Sequence, residues 1–165
     1  IPLIDILGVK NSIESYNERI YSSIEKENIK KQKIEDFQRR FPEIKKGLNI
    51  GFFEADFEKI RKLLDEVNNA EYNYDCKREI KSNNYEYLYE QGLKYEKEVN
   101  GISKYNFNKN KSNYYKDLIT FFQEKKYTRF IILYRVFKKH NLENYKDIQE
   151  YYNNYLEIKN NEIKK

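Results

Sequence analysis

The chain has 165 residues, with 32 Lys and Arg against 27 Asp and Glu and a net charge of +5. That is the size of one domain, with a cationic excess too small to define a partner by itself. Its single cysteine, Cys76, excludes an internal disulfide framework, and its single histidine, His140, excludes any metal site built on two histidines.

Only 39% of residues are hydrophobic, but 17 Tyr and 10 Phe compensate, because each buried ring removes roughly 150–250 Å² from water. With no Trp or Met, the core is expected from Ile, Leu, Phe and the ring bodies of Tyr. Abundant Lys, Asn, Ile and Tyr beside only Ala55 and Ala70 fits AT-rich coding. Asn, Tyr and Ile are weak helix formers, so helices here must be held by packing.

Residues 1–10 read as a short lead-in, in which Pro2 and Gly8 bracket apolar residues too few for a secretory signal. A first long helix is expected to open near Asn11 or Ser12. It carries Ile13, Tyr16, Ile20 and Ile24 on one stripe, then Ile34, Phe37 and Phe41 after a phase slip near Ile29. Pro42 should end it, and residues 43–51, with Gly47 and Gly51, read as a turn. Phe53, Phe57, Ile60, Leu64 and Val67 mark a second helix, whose end is blurred by Asn68-Asn69 and residues 73–82.

The steps of three and four from Tyr85 through Leu88, Gly92 and Tyr95 to Val99 define a third helix, stopped at Asn100-Gly101. Gly92 within that stripe points to a close helix crossing. Residues 101–113 are the longest inter-helix loop. A fourth helix starts near Asn113 with Tyr115, Leu118, Ile119 and Phe122 inward, and a fifth covers Tyr127–Lys139. A buried strand over Phe130–Val136 competes with that helix but has no evident partner strand. A sixth helix, capped by Asn141 or Asn144, carries Tyr145, Ile148, Tyr152 and Tyr155.

The expected fold is all-α, a compact antiparallel bundle of about four to six amphipathic helices in a single domain, 1–165. The longest unbroken apolar run is Phe130–Tyr134, far short of the roughly 20 residues that span a bilayer, so no transmembrane segment is expected. Without a Met even at position 1, the chain reads as a soluble fragment or processed product. Its compartment is open, and part of a surface or exported protein is one reading.

No catalytic residue, metal ligand or cofactor is assigned, and the chain reads as a non-enzyme. His140 follows Lys138-Lys139 at a helix end, where a cation complements the dipole. Cys76 precedes Lys77-Arg78, which would favour a thiolate, but it reads as an inert cysteine without a protease signature around it. Five glycines form neither a Walker loop nor a dinucleotide fingerprint. The pairs Glu14/Glu18, Glu54/Glu58 and Glu86/Glu90 lie one helical turn apart and read as solvated charge.

Three functions are compatible with this pattern. The leading one is a protein-interaction module that presents aromatic residues left over from the core stripes, with Tyr87, Tyr89, Tyr105, Phe107 and Tyr151 as interface candidates. The second is binding of a polyanion (nucleic acid, glycosaminoglycan or anionic membrane) through residues 101–140, where ten cations meet only Asp117 and Glu124. Its candidates are Lys104, Lys109, Lys111, Lys125, Lys126, Arg129, Lys138 and Lys139. The third is carriage of an apolar ligand such as a lipid, walled by Phe52, Phe53, Phe57, Phe121 and Phe122.

Overall fold

The computed structural model describes residues 3–165, and every regular element among them is helical. The eight helices are α1 (Leu3–Glu54), α2 (Phe57–Asn69), α3 (Tyr74–Ser82), α4 (Tyr85–Asn100), α5 (Lys104–Lys109), α6 (Lys111–Gln123), α7 (Tyr127–Lys139) and α8 (Ile148–Lys164). The class is all-α as expected, but the count exceeds four to six. Two short helices account for the excess: α3 occupies residues 74–82, the stretch that blurs the end of the second helix, and α5 lies within the 101–113 connection expected as a loop. The last helix starts at Ile148 rather than at Asn141 or Asn144, which leaves Tyr145 in the preceding turns.

The largest departure is α1. It is helical from Leu3, so the lead-in assigned to residues 1–10 is part of the helix from there on; Ile1 and Pro2 lie outside the described residues. It also runs through Pro42, Gly47 and Gly51 to Glu54. Proline at 42 forfeits the bond to the Gln38 carbonyl, a cost of about 3 kcal/mol in a helix interior. Pro42 and Gln38 are both exposed, which leaves the freed carbonyl on the solvent side, while Phe41, Ile44 and Leu48 are buried on the opposite side. Burial of those three residues, at roughly 1.5–3 kcal/mol each, outweighs the defect. Gly47 and Gly51 are contact points, where an added Cβ would lie 2.8 Å from Leu63 Cδ1 and Ile60 Cγ1 respectively.

The end of α1 is tied into the body by its last carbonyls, groups that a helix cannot satisfy internally. The Asp56 amide donates to the Gly51 carbonyl at 2.9 Å and the Ala55 amide to Phe52 at 3.3 Å. This is a Schellman closure with Ala55 held at φ 50°. Thr128 Oγ1 also donates to the Phe52 carbonyl at 2.6 Å, the Tyr155 hydroxyl to that of Phe53, and Arg135 to that of Glu54 at 2.5 Å. Asp56 then caps α2 by accepting from the Lys59 amide at 3.1 Å. Phe53, assigned to α2 by its spacing, therefore belongs to α1.

At the centre lies α7, packed against α1, α4 and α6. Phe130–Tyr134, Val136 and Phe137 are all buried, as expected of a helix apolar on nearly every side. Tyr127–Lys139 is helical as read, and no strand forms among the described residues. Phe107 from α5 packs under the C-terminal end of α7, with its ring 4.8 Å from Phe137 and 5.2 Å from His140. The crossing expected at Gly92 is present, since a Cβ there would sit 2.6 Å from Phe57 Cε1.

The first half of α1 stands clear of this body. Every side chain from Ile6 to Ile29 is exposed, including the stripe residues Ile13 and Tyr16 at 55% and 60%. A projecting arm therefore replaces the fully compact bundle. No phase slip interrupts it: Ile13, Ile20, Ile34, Phe41 and Leu48 are separated by multiples of seven, with Ile24 and Ile29 off the register. None of the described helices is long and apolar enough to cross a membrane.

Candidate functional site

The cations of residues 101–140 do not form one patch. Lys125, Lys126 and Arg129 lie at the N-terminal end of α7, and Lys138 and Lys139 at its C-terminal end. A 13-residue helix separates them by about 18 Å. Lys104 stands near the C-terminal group, close enough to act on His140. Lys109 closes α5, and Lys111 lies over the Tyr145 ring at 5.3 Å.

His140 does not act as the helix-end cation expected of it. It occupies the C-cap of α7 but is only 8% exposed, and its Nε2 is buried without a partner. Burial, with Lys139 and Lys104 nearby, holds its pKa below 6.5. Lys138 and Lys139 supply the charge at this helix end instead. The unfolded chain therefore binds more protons than the folded one as pH falls below the ordinary histidine value, and stability is lost on acidification. Urea midpoints are expected to fall between about pH 7 and about pH 5, with His140→Phe flattening that part of the profile. An unchanged slope in the variant would assign the loss to carboxylates alone.

The other titratable candidates are structural. Cys76 is buried, and burial together with Glu79 and Asp75 pushes its thiol up, opposite to the effect read from Lys77 and Arg78. Glu86 is held at both oxygens by Arg61, 2.8 Å each, which keeps its carboxyl below the usual range. Glu58 pairs with Lys62 at 3.3 Å and Glu54 lies 3.8 Å from Lys159. No group of three or more acidic, histidine or cysteine side chains positioned to hold a metal occurs among the described residues.

Of the five aromatic interface candidates, the fold presents two. Tyr87 and Tyr105 are 61% and 75% exposed. Tyr89 is half-buried against Phe57 and beneath Arg61, and Tyr151 is half-buried with its ring 5.3 Å from Phe122. Phe107 is wholly buried and leaves the candidate set, because the 101–113 segment folds as a helix and uses that ring as core. Among the rings read as ligand-cavity walls, Phe53 stacks on Tyr127, Phe57 meets Tyr89, Phe121 meets Tyr95 and Phe122 meets Phe130.

Sequence candidates of both kinds meet in one cleft of about 430 Å³ between α4 and the α6–α7 turn. Tyr87, Leu88, Gln91 and Gly92 line it from α4; Lys125, Lys126, Tyr127, Thr128 and Arg129 line it from the turn; Phe52 of α1 completes it. An adjoining hollow of about 410 Å³ shares Phe52, Leu88, Lys125, Tyr127 and Thr128, so the two form a groove.

Cations, free helix amides and an apolar wall meet along this groove, with Glu162 at its edge. Lys126 caps α7 without a side-chain acceptor, so the free amides and positive dipole end of that helix lie at residues lining the cleft. Lys125 is held at φ 60° by a Schellman closure of α6, with Lys126 N bonded to the Phe121 carbonyl at 2.8 Å and Lys125 N to that of Phe122 at 3.1 Å. Arg129 spreads over the Tyr95 ring at 5.3 Å, and Lys126 pairs with Glu124 at 3.1 Å. Leu88, read as a core position by its spacing, is 46% exposed and supplies an apolar wall. Comparisons with protein-family models, curated proteins and solved structures return no match.

Proposed function

We propose that the chain is a non-enzymatic protein-interaction module whose cleft between α4 and the α6–α7 turn receives an acidic segment of a partner protein bearing an aromatic or aliphatic side chain. The observation that carries this reading is the convergence of exposed Tyr87 and Leu88 with Lys125, Lys126 and Arg129 around one concavity. Tyr and Arg are the residue types that dominate interface energetics, and an apolar wall beside cations selects for mixed acidic and hydrophobic sequence.

The test is capture of binding partners by the intact chain, followed by titration of the recovered partner against variants. Tyr87→Ala and Arg129→Ala are each expected to weaken binding by about tenfold or more, whereas Tyr105→Ala, on the surface of α5, leaves it unchanged. Lys125→Gly should weaken binding while raising stability by about 1 kcal/mol, because it relieves a left-handed conformation at a non-glycine residue. Equal affinity in all variants would overturn the cleft as the site.

The polyanion reading draws on the same three cations and the uncapped α7 terminus. It predicts retention on heparin well above physiological salt, with an affinity that falls steeply along a salt series. The 18 Å separation of the two cationic groups, about the length of α7, argues against one continuous track for a single strand.

A further inference from the structure

We infer that the arm of α1 pairs with the same arm of a second copy of this chain, the two helices running antiparallel over residues 6–23. Ile6, Val9, Ile13, Tyr16 and Ile20 follow steps of three, four, three and four, and they stand 39–61% exposed. This is the seam of a coiled coil, and it keeps the register of Phe41 and Leu48, which the body covers. In the arm the same face has no cover, and helices of this composition depend on packing. Roughly 100 Å² remains uncovered on each of the five residues, so two arms would remove about 1,000 Å², the lower bound of a specific interface.

The direction of pairing follows from where the body begins. Lys30 lies over the Tyr72 ring at 5.2 Å and Lys33 pairs with Glu71 at 2.9 Å, so the seam face is occupied from about residue 30 onward. A parallel partner in register would run into that obstruction, and its Glu27 and Lys30, both at seam positions, would face their own copies. An antiparallel partner avoids both problems. Placing Val9 against the partner's Ile20 and Ile13 against the partner's Tyr16 gives four apolar layers by symmetry. The partner's Ile6 then lies opposite Ser23, about 10 Å of helix short of Lys30. At the flanking positions Arg19 faces Ser12 and Lys10 faces Asn17, so no like charges meet.

Light scattering or sedimentation of the intact chain over a concentration series tests the pairing. The apparent mass is expected to double with concentration, and Ile13→Asp, on an arm that touches no part of the body, should hold it at one chain with the thermal midpoint unchanged. Direction is read by oxidation of two single substitutions, with Cys76 left buried in place. Val9→Cys and Ile20→Cys are expected to cross-link when mixed and not alone, because like positions lie about 16 Å apart, beyond disulfide reach. A chain that stays single at every concentration, a larger assembly, or cross-linking of either variant with itself would each overturn the proposal. Variants at Tyr87 and Arg129 should leave the pairing intact, so failure here and failure of the cleft are separate results.

Discussion

Phe130→Ala is expected to cost about 3–5 kcal/mol of unfolding free energy and to lower the thermal midpoint by roughly 10 °C. Phe130 is wholly buried on α7, with its ring 5.5 Å from Phe122 and 5.4 Å from Tyr155. Removing it subtracts the transfer free energy of the ring and opens a cavity whose walls come from α6 and α8. Those walls cannot close easily, because Tyr155 is anchored through its hydroxyl to the Phe53 carbonyl at the end of α1. Phe130→Leu, which keeps most of the volume, should cost less than half as much. Chemical denaturation followed by circular dichroism measures both, and equal losses for the two variants would show that contacts specific to the ring, not lost volume, set the cost.

Gly92→Leu is expected to destabilise by about 2 kcal/mol despite the gain in helix propensity. Leucine in place of a mid-helix glycine returns close to 1 kcal/mol, but overpacking a fitted contact costs 1–3 kcal/mol and occasionally more. Here even a Cβ would approach Phe57 to 2.6 and 2.8 Å. The Phe57 ring is itself buried, with Tyr89 at its edge 6.0 Å away, so it has little room to retreat. The variant therefore separates α2 from α4. Since Gly92 also lines the cleft, partner binding should weaken in parallel with the loss of stability. Gly92→Ala isolates the steric part, and a neutral or stabilising result for alanine would mean that Phe57 moves aside.

Both of these sites lie on helices whose limits are legible in the sequence. Periodicity defined α4 and α7 to the residue, because each carries a full apolar stripe bounded by stop signals, and Gly92 was legible as a crossing because no other residue in its stripe lacks a side chain. Pro42 misled because local penalties are small beside burial. An exposed proline costs about 3 kcal/mol, and the buried Phe41, Ile44 and Leu48 around it outweigh that. Two helix starts carried readable signals that hydrophobic spacing overrode. Asp56 accepts from the Lys59 amide, and Ser103 accepts from the Asn106 amide at 3.2 Å to open α5. Recognising Ser103 as a cap would have placed Phe107 on a helix and hence in the core.

The cleft could not be found along the chain. Its residues come from Phe52 and from positions near 90 and near 127, and nothing in the spacing of these segments says that α4 packs against α7. Three of the eight cations assigned to the basic segment line it, but the neighbouring cations of the sequence are carried by α7 to the far end of the body. The burial of His140 is hidden from the sequence for a related reason: its position at a helix end is legible, but its packing against Phe107 depends on α5.

The length of α1 also governs how the molecule moves through water. A helix of 52 residues extends about 78 Å, whereas a compact chain of this length has a radius of gyration near 15 Å. A rod fixed to a small body tumbles anisotropically and drags more solvent than a sphere of equal mass. A single copy is therefore expected to leave a sizing column early, at the position of a larger globular protein. Scattering at small angles should show a long tail in the pair-distance distribution, contributed by the arm.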